Sequence, residues 1–552
     1  MVTDLIGIKN GVGDIVGTLG FVDELVALVA CPAWGILSDR LGVRIVCVAG
    51  YTIVGLALVV FVQAKNVYPQ LLLARILFSI GGAATATMVT AILPSMTGGG
   101  RGIEHPPRQD AVPVQYDPEN FRHSVTPSLD SDVTITPQVY NNRRAGVQPQ
   151  ASANNSDVKA TTKTSSSAPR LAGLVGVFTG CGALVALTLF LPLPAQFSHA
   201  RGITQGQAVK HSFYVVGLVS MFVAVFCFFG LRNLQGEEGK GWRLLLGRSE
   251  KASDITSTGR MESSNTSSSV PYWRLLIDAT MLGFKDARIG LGYLGGFVAR
   301  ASSVGISLFI PLFINAYYIR NGFCQGSPND PSPELKKECR AAYILAAELT
   351  GVSQLVALLC APLFGYLSDR YRRLNIPLLV ASIFGIVGYT AFARLQSPEL
   401  SNEAGRGGSR VVFLYVSMIG ISQIGAIVCS LGLLGRGVLG DEGGYNLSRQ
   451  LHTSHRTSRT YAQVISESSP LIGETTSQVS RTHLKGSIAG VYSLFGGAAI
   501  LLLTKVGGSL FDSLSTGAPF YMMAVFNAIL LVVGTAVVIY QELLRRRGAM
   551  EN

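Results

Sequence analysis

A nine-residue pattern that ends in Asp-Arg occurs twice, far apart in the chain. The sequence PAWGILSDR at 32–40 returns as PLFGYLSDR at 362–370, and we call this the repeated pattern. An Asp at a helix end can accept hydrogen bonds or an ion pair from a neighbouring helix, and a Gly one turn earlier lets two helices approach closely. The repeated pattern therefore predicts a latch that joins helix ends in one conformation and releases them in another.

Charged side chains also lie inside long apolar stretches. They include Arg75 and Arg300, which are basic, and Asp23, Glu24 and Glu348, which are acidic. A charge in an apolar environment is expensive and is usually partnered or functional. For Arg300 we weigh two interpretations: a group that binds a substrate anion, and an internal counter-ion whose partner is Glu348.

The remaining candidates for coupling or substrate binding follow from position along a helix. Asp23 and Glu24 are adjacent, so their side chains point about 100° apart on a helix and only one of them faces a pathway well. We expect that one to be a proton-coupling carboxylate; the alternative is a hydrated charge in an outer vestibule. Gln354 and Gln423 are uncharged candidates for a substrate cavity, and the alternative for them is hydrogen bonding between helices.

The elements that position these residues are membrane-spanning helices, as the composition indicates. Of the 552 residues, 48% are hydrophobic and only 14% are charged, whereas about 25% are charged in soluble domains. This balance excludes a disordered chain, a coiled coil and a basic nucleic-acid-binding protein, although the net charge is +12. Stretches of roughly 20 apolar residues span a bilayer, and we find eleven: 17–38, 45–63, 69–94, 171–195, 211–231, 289–318, 341–367, 376–394, 411–434, 487–507 and 519–540.

Three long polar tracts separate these spans, at 95–170, 232–288 and 435–486. Their low hydrophobicity predicts disordered linkers, apart from an amphipathic helix at Tyr272–Lys285. Lys and Arg are concentrated in the tracts and in the short loops that follow residues 38 and 367, which makes this side cytoplasmic. The predicted organisation is an N-terminal helical half at 1–231, a cytoplasmic linker at 232–288, a C-terminal half at 289–541 and a cytoplasmic tail at 542–552.

The cysteines suit this sidedness. Cys324 and Cys339 lie in the polar segment 319–340 on the opposite, non-cytoplasmic side, where we expect a disulfide between them; two free thiols are the alternative. The sequence contains no Cys/His spacing typical of a metal site and no nucleophile with a base. We therefore expect no enzyme activity, no cofactor and no metal.

The repeated pattern resembles the signature of the major facilitator superfamily, roughly G-x-L-[SA]-D-R-x-G-R-[RK] between the family's second and third helices. The residues that match it and form the predicted latch are Gly35, Asp39, Arg40, Gly42, Arg44, Gly365, Asp369, Arg370 and Arg373. Two copies at this separation imply two six-helix halves arranged as parallel repeats. A topogenic basic loop that only fixes orientation is the alternative for the pattern.

The resemblance implies a secondary active transporter that moves a small organic solute by alternating access, as a monomer in membrane lipid. Arg75, in the sequence RILFSIGG, looks like the family's fourth-helix pattern R-x-x-x-G-x-G, whose Arg is associated with proton coupling there. A structural Arg paired to carbonyls or a carboxylate is the alternative. The competing function is a non-transporting membrane receptor or scaffold, or an inactive truncated form of the fold.

Family members have twelve helices, and in this chain the first copy of the pattern follows the first visible span rather than the second. We therefore expect that the helix equivalent to family helix one is missing, so that Met1 is an internal Met of a longer product. The long cytoplasmic insertions resemble those of fungal members.

A sorting signal is a further expectation. The sequence ESSPLI, with Glu467, Leu471 and Ile472 at its defining positions, fits the acidic dileucine form that clathrin adaptors bind in the cytosol. It favours a vacuolar or endolysosomal membrane, with the plasma membrane as the alternative.

Overall fold

The computed structural model describes residues 12–97, 168–190, 193–198, 205–232, 234, 237, 240, 272–322, 340–371, 375–399, 408–439 and 484–550. Within these ranges the chain forms helices and connecting turns, without a strand. Eleven of the helical stretches described there are long and apolar enough to cross a membrane. The prediction of an all-α polytopic membrane protein is therefore confirmed.

Five spanning helices lie before residue 231. They are α1 (Val12–Leu41), α2 (Val43–Phe61), α3 (Leu72–Thr97), α4 (Ala168–Val185) and α5 (Gln205–Gly230). A π-helical turn, Val67–Leu71, leads into α3, and another, Ala186–Phe190, extends α4. A short helix, Leu193–Ser198, precedes α5.

Six spanning stretches follow the amphipathic helix α6 (Tyr272–Lys285), which lies where the sequence predicts a helix. The first is α7 (Ala287–Val304), joined to α8 (Ile310–Arg320) by the π-helical turn Gly305–Phe309. The others are α9 (Arg340–Arg370), α10 (Ile376–Ala393), α11 (Val411–Leu439), α12 (Lys485–Leu502) and α13 (Ala518–Met550). The span of α12 continues through Leu503–Gly507 and Gly508–Ser513.

The local sequence explains several helix boundaries. The Asp286 carboxylate accepts a hydrogen bond from the backbone N–H of Arg288 at 3.0 Å and so caps the start of α7. Pro377 lies in the first turn of α10, where a missing N–H removes no helical hydrogen bond. Pro32 and Pro362 lie inside α1 and α9. Membrane helices tolerate an internal proline because neighbouring helices satisfy the backbone groups that it leaves without a hydrogen bond.

The helices extend further into the predicted polar tracts than the sequence indicates. α3 continues to Thr97, α11 to Leu439, and α4 and α12 begin at Ala168 and Lys485. Packing accounts for the extension of α11 and α4, because a Cβ at Gly435 would lie 2.9 Å from the Cβ of Ala168. Apart from Leu484, the other residues of the tracts at 95–170 and 435–486 lie outside the described residues.

The largest apolar core lies among the later helices. Phe309, Tyr389, Phe392 and Phe520 are fully buried there. The rings of Phe392 and Phe520 are 4.8 Å apart in an edge-to-face arrangement, which aromatic pairs prefer. Phe226 on α5 is 75% exposed, as suits a surface that faces lipid tails as apolar as itself.

Gly81→Ala should destabilise the protein and Gly82→Ala should not. A Cβ at Gly81 would lie 2.9 Å from the carbonyl oxygen of Gly50 and from the amide nitrogen of Val54, whereas nothing lies within 4 Å of a Cβ at Gly82. Because overpacking costs about 1–3 kcal/mol, the first variant should melt several degrees lower in detergent, as followed by tryptophan fluorescence. Equal melting temperatures would contradict the close approach of α2 and α3.

Candidate functional site

The Asp39 carboxylate, near the end of α1, binds the first turn of α12. Its Oδ1 accepts a hydrogen bond from the backbone N–H of Gly486 at 2.7 Å. Its Oδ2 accepts from the backbone N–H of Ser487 at 2.7 Å and from the Ser487 hydroxyl at 2.6 Å. N–H groups in a first helical turn have no partner within the helix, and the helix dipole favours an anion there. One buried carboxylate thus joins an early helix to a late one.

Close packing of α1 against α12 makes these bonds possible. A Cβ at Gly35 would lie 2.8 Å from the Cα of Gly490 and would collide with the carbonyl oxygen of Gly486. The Ser38 hydroxyl turns back and donates to the carbonyl oxygen of Gly35 at 2.8 Å. Only a glycine at position 35 permits this helix crossing.

The second copy of the repeated pattern makes an equivalent crossing between α9 and α4. A Cβ at Gly365 would lie 2.9 Å from the Cα of Gly173. Asp369 pairs with Arg170 Nε at 2.7 Å, and the Arg170 side chain is 59% exposed. Each copy therefore binds the beginning of a helix from the other half of the chain. We call the helix ends that carry Asp39 and Asp369 the signature end.

Two charged residues that the sequence does not single out, Lys485 and Glu237, strengthen the signature end. Lys485 Nζ pairs with Glu237 Oε1 at 2.5 Å and donates to the Ser95 hydroxyl at 2.6 Å. Glu237 Oε2 accepts from the backbone N–H of Val43 at 2.6 Å, at the start of α2. Glu237 lies in the tract predicted as a linker, and no signal in the sequence distinguishes it from the neighbouring Glu238.

A cavity of about 280 Å³ lies between helices of both halves. Helices α3 and α4 line it from the first half, and α7, α9, α11 and α12 line it from the second. Three of the predicted substrate candidates, Arg300, Gln354 and Gln423, are among the lining residues. Four further polar lining residues were not predicted, because Ser, Thr and Tyr are common inside helices: Thr90, Thr179, Ser303 and Tyr492.

Hydrogen bonds organise the polar wall of the cavity. Gln354 Nε2 donates to Gln423 Oε1 at 3.4 Å, and Gln423 Nε2 donates to the Ser303 hydroxyl at 3.0 Å. The hydroxyls of Tyr492 and Ser430 are 3.1 Å apart. The interhelical hydrogen bonding considered for the two glutamines is therefore present, and it occurs within the cavity wall.

The other charged candidates lie apart from the cavity lining. Asp23 on α1 forms an ion pair through Oδ2 with Arg75 Nε on α3, and the Ser79 hydroxyl donates to the Asp23 carbonyl oxygen at 2.7 Å. The carboxylate of Glu24 is close enough to Arg75 and Arg300 to interact with both electrostatically. Glu348 is exposed on α9, and among the described residues it forms no ion pair with Arg300.

The remaining residues of the repeated pattern are placed as follows. Gly42 has a φ of 93° between α1 and α2, which favours glycine. Arg44 Nε donates to the carbonyl oxygen of Phe228 at 2.8 Å, and its guanidinium lies 4.2 Å from the centre of the Phe228 ring. Arg40 is half-buried in the last turn of α1, and Arg370 is exposed in the last turn of α9.

Several predicted residues lie outside the described part of the chain. They are Arg373 of the latch, Cys324 and Cys339 of the disulfide, and Glu467, Leu471 and Ile472 of the sorting signal. In the part that is described, no group of three His, Cys, Asp or Glu side chains is arranged to hold a metal ion.

No curated protein has a significant sequence match to this chain. Similar solved structures include the E. coli fucose:proton symporter FucP, at 12% identity and TM-score 0.44, covering 93% of this chain and 89% of that one. The human organic anion transporter MFSD10 is 11% identical, with TM-score 0.46 and coverage of 94% and 83%. The proton:xylose symporter XylE, bound to 6-bromo-6-deoxy-D-glucose, is 9% identical, with TM-score 0.49 and coverage of 96% and 88%.

The family model described as Major Facilitator Superfamily matches residues 6–103. This range includes the first copy of the repeated pattern, with Gly35 and Asp39, and also Arg75. The chain is thus an integral multi-pass membrane protein whose resemblance to the major facilitator superfamily, inferred from the repeated pattern, is confirmed by this match.

Proposed function

We propose that the protein is a secondary active transporter that moves a small organic solute across a membrane by alternating access. The observation that carries this proposal is a cavity lined by both halves of the chain, beside a crossing of those halves that a buried carboxylate holds. Rocking of two halves about a central site is the usual mechanism of transporters built from repeats. The solute occupies the cavity, and the signature end opens and closes.

The latch works because Asp39 has comparable partners in both conformations. When the signature end is closed, its carboxylate accepts three hydrogen bonds from α12. When the end opens, water replaces these donors, so that the net cost of opening is far smaller than the gross strength of the bonds. Two arrangements of similar free energy are what a conformational cycle requires.

Proton coupling is assigned to the pair of Asp23 and Arg75. The Asp23 side chain is 15% exposed, its Oδ2 pairs with Arg75, and its Oδ1 has no partner among the described residues. Protonation of Asp23 removes the negative charge that holds Arg75, so α1 and α3 lose their ion pair. Glu24 interacts electrostatically with both members of this pair and with Arg300.

The location of the transporter in a vacuolar, endolysosomal or plasma membrane stays a prediction. Its binding to clathrin adaptors and its monomeric state also stay predictions. The competing receptor or scaffold function uses the same fold but needs no access to the cavity from both sides. Access to the cavity therefore separates the two functions.

Thr90→Cys should react with a membrane-impermeant thiol reagent added from either side of the membrane, in a background without the native cysteines. Thr90 lines the cavity, and alternating access exposes the cavity to each side in turn. The measurement is the labelling rate in right-side-out and inside-out vesicles, with Phe226→Cys on the apolar surface of α5 as the unlabelled control. Labelling of Thr90→Cys from only one side would contradict transport and favour the receptor function.

Asp39→Asn should raise the labelling rate of Thr90→Cys from the signature end by about tenfold or more. Asn retains one acceptor oxygen, so at least one charge-assisted hydrogen bond of about 1.5–3 kcal/mol is lost. We expect solute flux to be impaired while melting temperature and location in the cell are retained. The control is Glu542→Gln, which removes an exposed carboxylate on α13. A labelling rate equal to that of the parent would remove Asp39 from the mechanism.

Asp23→Asn should abolish the effect of pH on access to the cavity. In the parent protein, the ratio of Thr90→Cys labelling from the two sides should change severalfold between neutral and acidic pH, because protonation of Asp23 releases Arg75. The variant is permanently uncharged at this position, so the ratio should be constant. Glu542→Gln again serves as the control and should keep the pH effect. An unchanged pH effect in Asp23→Asn would assign coupling to another group.

A further inference from the structure

The cavity carries one charged residue among the described residues that line it. That residue is Arg300, near the end of α7, and the other lining residues are uncharged. Arg300 is exposed and contributes to the cavity lining. Its stem packs closely against Gly496 on α12, where an added Cβ would lie 2.7 Å from the Arg300 Cγ. The Arg300 side chain is thus placed at the wall of a space of about 280 Å³.

Within the described part of the chain, no carboxylate forms an ion pair with Arg300. Glu24 interacts with it electrostatically from outside the cavity lining. A guanidinium at this depth is costly unless an anion neutralises it. The fork of N–H groups matches a carboxylate, which it binds through two parallel hydrogen bonds.

The rest of the lining defines the body of the ligand. Apolar side chains such as Val89, Leu358, Ile424 and Leu431 form most of the wall. A dry cavity of about 150 Å³ holds benzene, so this cavity accommodates a single ring or a branched chain together with a carboxylate. Gln354 and Gln423 retain amide groups that can bind one further polar substituent.

We propose that the cavity binds an organic monocarboxylate with an apolar body, whose carboxylate pairs with Arg300. This inference rests on the proposed transport function and specifies the solute class. A cation is repelled by Arg300, and a neutral solute leaves the guanidinium without a counter-ion. A dicarboxylate brings a second charge for which the lining has no partner. A monocarboxylate satisfies each of these constraints.

The test is ligand-induced stabilisation of the purified full-length protein. The probes are 3-methylbutanoate, phenylacetate and benzoate, each compared with its uncharged amide and with the amine of similar size. At least one carboxylate should raise the melting temperature and bind at least tenfold more tightly than its amide, whereas the amines should have no effect. Binding of amides as tight as that of carboxylates, or no stabilisation by any carboxylate, would overturn the proposal.

Variants assign the effect to Arg300. Arg300→Gln should weaken carboxylate binding at least tenfold, and Arg300→Lys, which keeps the charge but loses the fork, should weaken it less. Arg320→Gln, at the exposed end of α8, is the matched control and should bind as the parent does. Glu24→Gln should strengthen binding because it removes a competing carboxylate. If Glu24 were instead the working partner of Arg300, both Glu24→Gln and Arg300→Gln would destabilise the protein and no carboxylate would stabilise the parent.

The result can be separated from the test of transport. If carboxylates bind through Arg300 but Thr90→Cys is labelled from one side only, the ligand class stands and transport fails. If Thr90→Cys is labelled from both sides but amides bind as well as carboxylates, transport stands and the ligand class fails.

Discussion

The buried carboxylate of Asp39 is the contact on which the signature end depends. A charge removed from water is stable only where donors satisfy it, and here the donors are the free N–H groups of the first turn of α12. They reach Asp39 only because Gly35 and Gly490 allow the two backbones to touch. The interaction is therefore all or none: a small separation of α1 and α12 admits water and ends it. A contact of this kind favours two discrete conformations over a gradual opening.

The two copies of the repeated pattern are equivalent in position but differ in chemistry. Asp39 binds backbone groups, whereas Asp369 pairs with a long side chain, Arg170, that is 59% exposed. Each hydrogen bond to a charged group contributes about 1.5–3 kcal/mol. The crossing of α1 and α12 is further reinforced by the pairing of Lys485 with Glu237. The same motif residue therefore joins helices through backbone donors in one copy and through a side chain in the other.

The sequence predicts what is local and fails where the contact depends on distant segments. Spans follow from apolar length, and Gly35 and Asp39 follow from a repeated pattern with an evident physical role. Asp23 and Arg75 were each identified as charges in apolar stretches, but their pairing across 52 positions depends on how α1 and α3 pack. Glu348 illustrates the same limit. Its depth in the span can be predicted from the sequence, but the direction in which its side chain points around the helix cannot. Glu237 lies in a polar tract whose composition gives no reason to select it.

The arrangement of charges also explains how two separate sites could communicate. Asp23 and Arg75 form a pair outside the cavity lining, and Arg300 contributes to the lining. Glu24 is adjacent in sequence to Asp23 and interacts electrostatically with both Arg75 and Arg300. In a medium of low dielectric constant such interactions extend further than in water. An anion that neutralises Arg300 removes an attraction that stabilises the charged form of Glu24, and this favours uptake of a proton by the adjacent carboxylates Asp23 and Glu24. Ligand binding and proton binding would then assist each other without a shared contact, and by thermodynamic reciprocity the proton would favour the ligand to the same degree.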